Sequence, residues 1–178
     1  YEDVGLYHVA QLAWVAGLML PQAMRAALLP YLGEVRNSEH RFARRMSLAH
    51  HWTLAILPIG LVAGHTIVYF AIPQFFDAEY SSAIHIFDIL LAGWAMTLLA
   101  IPWYVALQAG NNPWRFTLLI TMIVVVSLIA GWLLIPEYGV MGAAWASLIG
   151  CCIMLSASKL LCGDEDFMTD GLAMVCVA

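Results

Sequence analysis

Five stretches without any Asp, Glu, Lys or Arg dominate this sequence, and each is 21 to 31 residues long. They are Val4–Met24, Met46–Phe76, Ile89–Trp114, Phe116–Pro136 and Tyr138–Ser158. A helix needs about 20 apolar residues to cross a bilayer, whereas strands of a membrane barrel are about 10 residues long and alternate strictly. The stretches predict an all-α, polytopic membrane helix bundle of about five transmembrane helices, at residues 4–32, 47–72, 83–107, 114–135 and 140–161.

The composition agrees with a lipid environment, since 63% of the residues are hydrophobic and 11% are charged. Soluble domains carry about 25% charged residues, so a soluble globule, a disordered chain and a disulfide scaffold are excluded. The net charge of −5 and the lack of a long basic stretch argue against a nucleic-acid partner. The lipid bilayer is the partner that this composition predicts.

The basic residues all fall toward one side of the predicted spans. They are Arg25, Arg36, Arg41, Arg44, Arg45, Arg115 and Lys159. The loops on the other side contain Asp77, Glu79 and Glu137 and no Lys or Arg. Because short cytoplasmic loops are enriched in Lys and Arg, we expect the basic side to lie in the cytoplasm. Residues 162–178, which contain four carboxylates, then form an acidic cytoplasmic tail.

The beginning of the chain suggests a longer protein. The sequence starts with Tyr1 and has no basic segment ahead of its first span, which argues against a signal peptide. Many transporters consist of two repeats around a central site. Residues 1–161 are therefore expected to form part of one lobe of a two-lobe transporter, whose partner is the missing N-terminal lobe of the same chain.

Three short segments carry a family resemblance. Residues 4–7 read VGLY and are followed by Ala10, residues 57–59 read LPI, and residues 134–146 read LIPEYGVMGAAWA. In this order they resemble the "vG-x-Y-x-x-A", "lPi" and "LIP-x-yG-x-x-GAA-x-A" segments of polysaccharide flippases, in the C-terminal half. These proteins belong to the multidrug/oligosaccharidyl-lipid/polysaccharide exporter superfamily.

The resemblance implies a function and a location. The spans look like helices eight to twelve of a twelve-helix flippase in the bacterial inner (plasma) membrane. Such a protein exports a lipid-linked oligosaccharide, or lipid-linked glycan, by alternating access during synthesis of cell-surface polysaccharide. It would carry out no covalent chemistry, and no enzyme activity, cofactor or metal is expected.

A polar stripe on the first span is the candidate substrate path. It contains His8, Gln11, Gln22 and Arg25, whose spacings of 3, 11 and 3 residues place them on one helical face. Polar groups in a span face protein or water, so the stripe predicts a hydrophilic lumen. The alternative is that His8 and Arg25 lie at opposite interfaces, with only the glutamines inside.

Asp88 is the only carboxylate well inside a predicted span, and His85 lies three residues before it. The two side chains share a face and are predicted to pair, which makes them candidates for proton or ion coupling. A hydrated pair near the outer surface is the alternative. His65, in the second span, is interpreted as a packing histidine.

Small residues recur at four-residue spacing in two spans. Gly60 and Gly64 form one pair, and Gly142, Ala146 and Gly150 continue another series. This spacing lets helix backbones approach closely, so these residues are predicted to pack helices.

Two rivals to the flippase remain. A small-molecule exporter, for a drug or cation, of the same superfamily would have a more apolar cavity and a dedicated cation site. A membrane-embedded transferase would have to combine His50, His51 or His65 with Asp88. The sequence contains no HExxH, GxSxG or P-loop motif, which weakens the transferase hypothesis.

Overall fold

The computed structural model describes residues 11–35, 38–75, 82–110 and 113–163. Helix α1 is Met19–Gly33, α2 is Glu39–Phe75, α3 is Ser82–Ala109 and α4 is Pro113–Gly163. A short helical segment at residues 11–17 leads into α1. These described ranges contain no strand, so the predicted all-α fold is confirmed. His8, the loop residues 76–81 and the tail beyond residue 163 lie outside them.

Four helical segments are long and apolar enough to cross a membrane: Gln11–Gly33, His40–Ala71, Ala83–Ala109 and Pro113–Cys162. The last contains 50 residues, and a straight helix of that length would be about 75 Å long. The hydrocarbon core is only about 30 Å thick. The predicted fourth and fifth spans are therefore the two arms of α4.

The two arms of α4 meet at Gly139, where the backbone is not helical (φ 56°, ψ −128°). Glycine adopts positive φ at no steric cost, which explains why the break falls at the glycine of the Pro136–Gly139 turn. The predicted spans 114–135 and 140–161 leave residues 136–139 as a connector, but the helix resumes immediately after Gly139. Four apolar helices are seen instead of five because the break occupies a single residue.

Contacts along α4 show that its arms fold back on each other as an antiparallel hairpin. A Cβ added at Gly142 would overlap the backbone of Leu134, and one added at Gly150 would overlap the Ser127 hydroxyl. Far from the turn, Arg115 Nη1 donates to the Leu161 carbonyl oxygen at 3.2 Å. The glycines thus lie where the two arms approach most closely.

Helix α3 is the centre of the bundle and packs against the three other helices. In α3, half of the residues in its most apolar 18-residue stretch are buried. In the corresponding stretches of the other three segments the buried share is 6%, 6% and 11%. Its buried side chains include Leu90, Leu98 and Val105. A helix that is apolar on all sides is stable when other helices surround it, and α3 follows this rule.

The outer faces of α2 and α4 are apolar. Large exposed side chains include Ile59 and Phe70 on α2 and Leu128 and Trp132 on α4. A soluble protein rarely exposes contiguous apolar patches of this kind, but such a surface suits a hydrocarbon solvent. With its four apolar helices, the chain is a multi-pass membrane protein.

Charge is distributed unequally between the two ends of the bundle. The C-terminus of α1, both ends of α4, the N-terminus of α2 and the C-terminus of α3 share one end, which we call the basic end. The described basic residues lie toward it: Arg25, Arg41, Arg44, Arg45, Arg115 and Lys159. Asp88 and Glu137 lie toward the opposite end, which we call the outer end.

Candidate functional site

Arg25 lies inside the first membrane segment and is held by two side chains of α3. Its Nε donates a hydrogen bond to Gln108 Oε1 at 3.1 Å. Its guanidinium carbon lies 4.9 Å from the centroid of the Tyr104 ring, which is within the range of a cation–π interaction. Tyr104 is buried and packs edge-on against Phe116 of α4, with ring centroids 5.2 Å apart. The Tyr104 ring that orients the guanidinium is therefore itself held in place by packing against Phe116.

Most of the hydrogen-bonding capacity of Arg25 is unused. A guanidinium has five N–H donors, and among the described residues only its Nε–H has an acceptor. Both terminal nitrogens are free to bind an external ligand, and the side chain is exposed. Planar, permanently charged donors suit carboxylates and phosphates. Arg25, Gln108 and Tyr104 form the candidate anion site.

The structure places Gln22 beside this site. Gln22 lies three residues before Arg25 on α1 and is exposed. Gln11 lies about three helical turns before Gln22 and is partly buried. Gln22 and Arg25 both lie in α1, whereas Gln11 belongs to the segment 11–17 that precedes this helix. His8, the fourth member, is outside the described residues.

Sequence reasoning missed Gln108 and Tyr104. Gln108 is the one amide side chain in α3, which is otherwise almost wholly apolar, and this isolation was the available signal. Tyr104 gave no such signal in the sequence, because an aromatic residue near the end of a span is a typical membrane anchor. Only the packing of α1 on α3 shows that both side chains meet Arg25.

Arg45 of α2 offers a contrast, because its contacts are internal. Its Nη1 donates to the Tyr31 carbonyl oxygen and, at 3.1 Å, to Glu34 Oε2. Its guanidinium carbon lies 4.2 Å from the Tyr31 ring centroid. Arg45 thus joins the end of α1 to the start of α2. Its role is structural, whereas the terminal nitrogens of Arg25 have no partner among the described residues.

At the outer end, the structure corrects the predicted partner of Asp88. Asp88 Oδ1 lies 2.7 Å from His65 Nδ1 of α2, while His85 is exposed. His85 is a neighbour of Asp88 on the helix surface, but the packing of α2 on α3 brings the His65 imidazole to the carboxylate instead. His65, interpreted as a packing residue, is therefore the interhelical partner of Asp88.

A third cluster lies at the bend that precedes α1. Pro21 has no N–H, so the carbonyl of Gly17, four residues earlier, lacks its helical donor. Trp94 of α3 supplies the missing bond, with its Nε1 donating to the Gly17 oxygen at 2.9 Å. A proline at position 21 is by itself a sign of an interrupted helix, but the sequence does not show that the Trp94 indole satisfies the freed carbonyl.

An apolar cavity of about 270 Å³ opens beside Trp94, between the helical segment 11–17, α2 and α3. Its wall includes Trp14 and Gly17 from the first segment and Gly60 and Gly64 from α2. A Cβ at Gly60 would overlap the Trp94 ring, so this glycine provides the notch in which the indole lies.

Of the three histidines named for a transferase, His65 contacts Asp88, whereas His50 and His51 have other neighbours. No group of three His, Cys, Asp or Glu side chains in these ranges could hold a metal ion. His51 Nδ1 contacts the Ser47 carbonyl at 2.7 Å, and His50 lies beside Trp103. Both histidines are about 20 Å along α2 from His65, so the structure does not bring them to Asp88.

Comparison of the chain with protein-family models, with curated proteins and with solved structures finds no match in any of the three.

Proposed function

We propose that this chain is a transmembrane lobe of an exporter that flips an anionic, lipid-linked oligosaccharide across the bacterial inner membrane. The observation that carries the proposal is the Arg25 site, a guanidinium inside a membrane segment with unused donors directed away from the core. The flippase-like segments of the sequence support the same function.

The chemistry of Arg25 favours an anionic ligand. An ionisable side chain in a span is costly unless it faces protein or water, so an exposed guanidinium there indicates an aqueous path or a second lobe. Lipid-linked glycans carry phosphate groups, which accept paired N–H donors from arginine. Gln22, one turn away, adds a neutral amide suited to sugar hydroxyls.

The position of the site fits a loading step. Basic residues mark the cytoplasmic side of membrane proteins, so the basic end of the bundle is assigned to the cytoplasm. Arg25 lies about 12 Å from the end of α1 at Gly33. A substrate made in the cytoplasm would meet this guanidinium first and continue past Gln22 and Gln11. The two lobes would then alternate access around the path.

The test measures export and membrane abundance together in the full-length protein. We expect Arg25→Ala to reduce export about tenfold or more, because a charge-assisted hydrogen bond contributes about 1.5–3 kcal/mol, at normal abundance. Arg25→Lys should retain part of the activity, since the charge remains but the paired donors do not. Gln22→Leu should also impair export.

The matched control is Arg44→Ala, which removes an exposed arginine from the same end of the bundle. It should leave export unchanged. Normal export by Arg25→Ala at normal abundance would contradict the proposal. If Arg25→Lys is silent and Arg25→Ala lowers abundance instead, Arg25 is a positive-inside anchor.

A small-molecule exporter is the second candidate, and the cavity beside Trp94 favours it. The wall of this cavity is apolar, as expected for a site that takes a small apolar compound. Enlarging Gly64 to leucine would fill this space and leave the Arg25 site intact. Loss of small-molecule efflux with Gly64→Leu, alongside unaffected efflux with Arg25→Ala, would support this candidate over the flippase.

A further inference from the structure

The first half of α2 has one face that packs on the bundle and one face that does not. The buried residues recur every three or four positions: Phe42, Met46, Ala49 and Thr53. A second set with the same spacing is exposed and forms what we call the α2 stripe: Arg41, Arg44, Leu48, Trp52, Ala55 and Ile59. Side chains three or four residues apart share one side of a helix. The stripe is therefore a continuous surface directed away from the other described helices.

The stripe begins with two arginines whose charges are not balanced within the described residues. Arg41 and Arg44 are exposed, and neither has a hydrogen bond or ion pair with a described residue. The adjacent Arg45, by contrast, pairs with Glu34. Cations one turn apart on a helix repel each other, and the nearby helix N-terminus carries a partial positive charge of its own. Helix stability does not explain this pair, which suits an external anion.

The rest of the stripe is apolar and has the length of one membrane leaflet. Leu48, Trp52 and Ile59 are among the large exposed hydrophobic side chains. Ile59 lies about 22 Å along the helix from Arg44. Half of a bilayer, with its headgroups, is about 20–22 Å thick. The stripe thus combines a cationic end with an apolar remainder over the dimension of a single phospholipid.

We propose that the α2 stripe binds one anionic phospholipid at the basic end of the bundle. The lipid phosphate accepts hydrogen bonds from Arg41 and Arg44, because a guanidinium offers paired donors to phosphate oxygens. The Trp52 indole packs below the headgroup, in the interfacial region that tryptophan favours. One acyl chain follows Leu48 and Ile59 toward the membrane centre. A lipid with a net negative charge is preferred, since a zwitterionic headgroup brings its own cation to the two guanidinium groups.

This inference is independent of the proposed function. Arg41 and Arg44 belong to α2, whereas the candidate anion site is formed by Arg25 of α1 with Gln108 and Tyr104 of α3. Failure of the lipid site would leave the export proposal intact, and the reverse also holds.

Trp52 reports on the site, because bromine on a lipid chain quenches the fluorescence of a tryptophan that the chain contacts. The full-length protein is placed in mixed vesicles of phosphatidylcholine and phosphatidylglycerol, with bromine on the chains of one lipid or the other. The quenching that disappears with Trp52→Phe is the contribution of Trp52. Comparing the two brominated lipids at equal amounts gives the preference for phosphatidylglycerol.

We expect each arginine to contribute about fivefold to this preference, as one basic residue does near an anionic membrane surface. Arg41→Gln and Arg44→Gln should each lower it about fivefold, and the double substitution should abolish it. Arg44→Lys should retain most of it, because the charge remains. In the unmodified protein the preference should fall at high salt, since mobile ions screen exposed charges.

Two controls separate the stripe from the general charge of the basic end. Lys159→Gln removes an exposed cation from α4 and should leave the preference at Trp52 unchanged. Trp114 is an exposed tryptophan at the same end, and its quenching should not respond to Arg44→Gln. Equal quenching of Trp52 by both brominated lipids, or a preference that survives the double substitution, overturns the proposal. Quenching by neither lipid also overturns it, because another protein segment then covers the stripe.

Discussion

Replacing Trp94 by phenylalanine removes the donor that satisfies the Gly17 carbonyl, 2.9 Å from Trp94 Nε1. The bond compensates for Pro21, which has no N–H for that carbonyl. A buried acceptor left without a donor costs about 1–3 kcal/mol. Interhelical hydrogen bonds in membranes average about 0.6 kcal/mol and reach about 1.7 kcal/mol. We therefore expect the hydrogen bond to contribute about 0.6–1.7 kcal/mol.

A single substitution cannot isolate this contribution, because phenylalanine also leaves space in the notch at Gly60. A double-mutant cycle with Pro21→Ala removes the ambiguity. Alanine restores an N–H at position 21 that can bond to the Gly17 oxygen, so the indole becomes redundant. The packing loss is common to both backgrounds. The loss of unfolding free energy caused by Trp94→Phe should be about 0.6–1.7 kcal/mol smaller with alanine at position 21 than with proline there.

The assay is reversible unfolding of the chain in mixed micelles, with the free energy of unfolding measured for all four members of the cycle. Trp103→Phe is the matched control, since Trp103 is a buried tryptophan of the same helix that lies beside His50 and not beside Gly17. Its cost should be the same in both backgrounds. An equal cost for Trp94→Phe with proline and with alanine would refute the reasoning.

Two further predictions concern the hairpin and the topology. Gly139→Ala should destabilise the chain by about 1–3 kcal/mol, because a backbone with φ 56° and ψ −128° is accessible essentially to glycine alone. The control is Gly131→Ala, within a helical arm, which should not destabilise the chain. The free energy of unfolding in micelles is measured for both variants. Cysteines at Ser38 and Glu137 should react with impermeant reagents from opposite sides, with Ser38 reached from the cytoplasm. Reaction of both from one side would contradict the antiparallel arrangement of the helices.

Local properties determined much of this protein from sequence alone. The apolar stretches predicted the spans, because the bilayer sets a minimum length for an apolar helix. The turn at Gly139 was predictable, because proline and glycine act on the backbone at their own positions. Lys and Arg occur in every second connector. This predicted the basic end, because each helix crosses the membrane and successive connectors therefore lie on opposite sides.

The tertiary structure alone decided which side chains meet. Asp88 pairs with His65 instead of His85, Arg25 meets Gln108, and Trp94 reaches Gly17. Each contact depends on the rotation of one helix about its axis and on its height against a neighbour. In an apolar helix, which lacks a polar face to indicate that rotation, the packing of neighbouring side chains sets both quantities. The spans could therefore be predicted one at a time, whereas the candidate sites required the whole bundle.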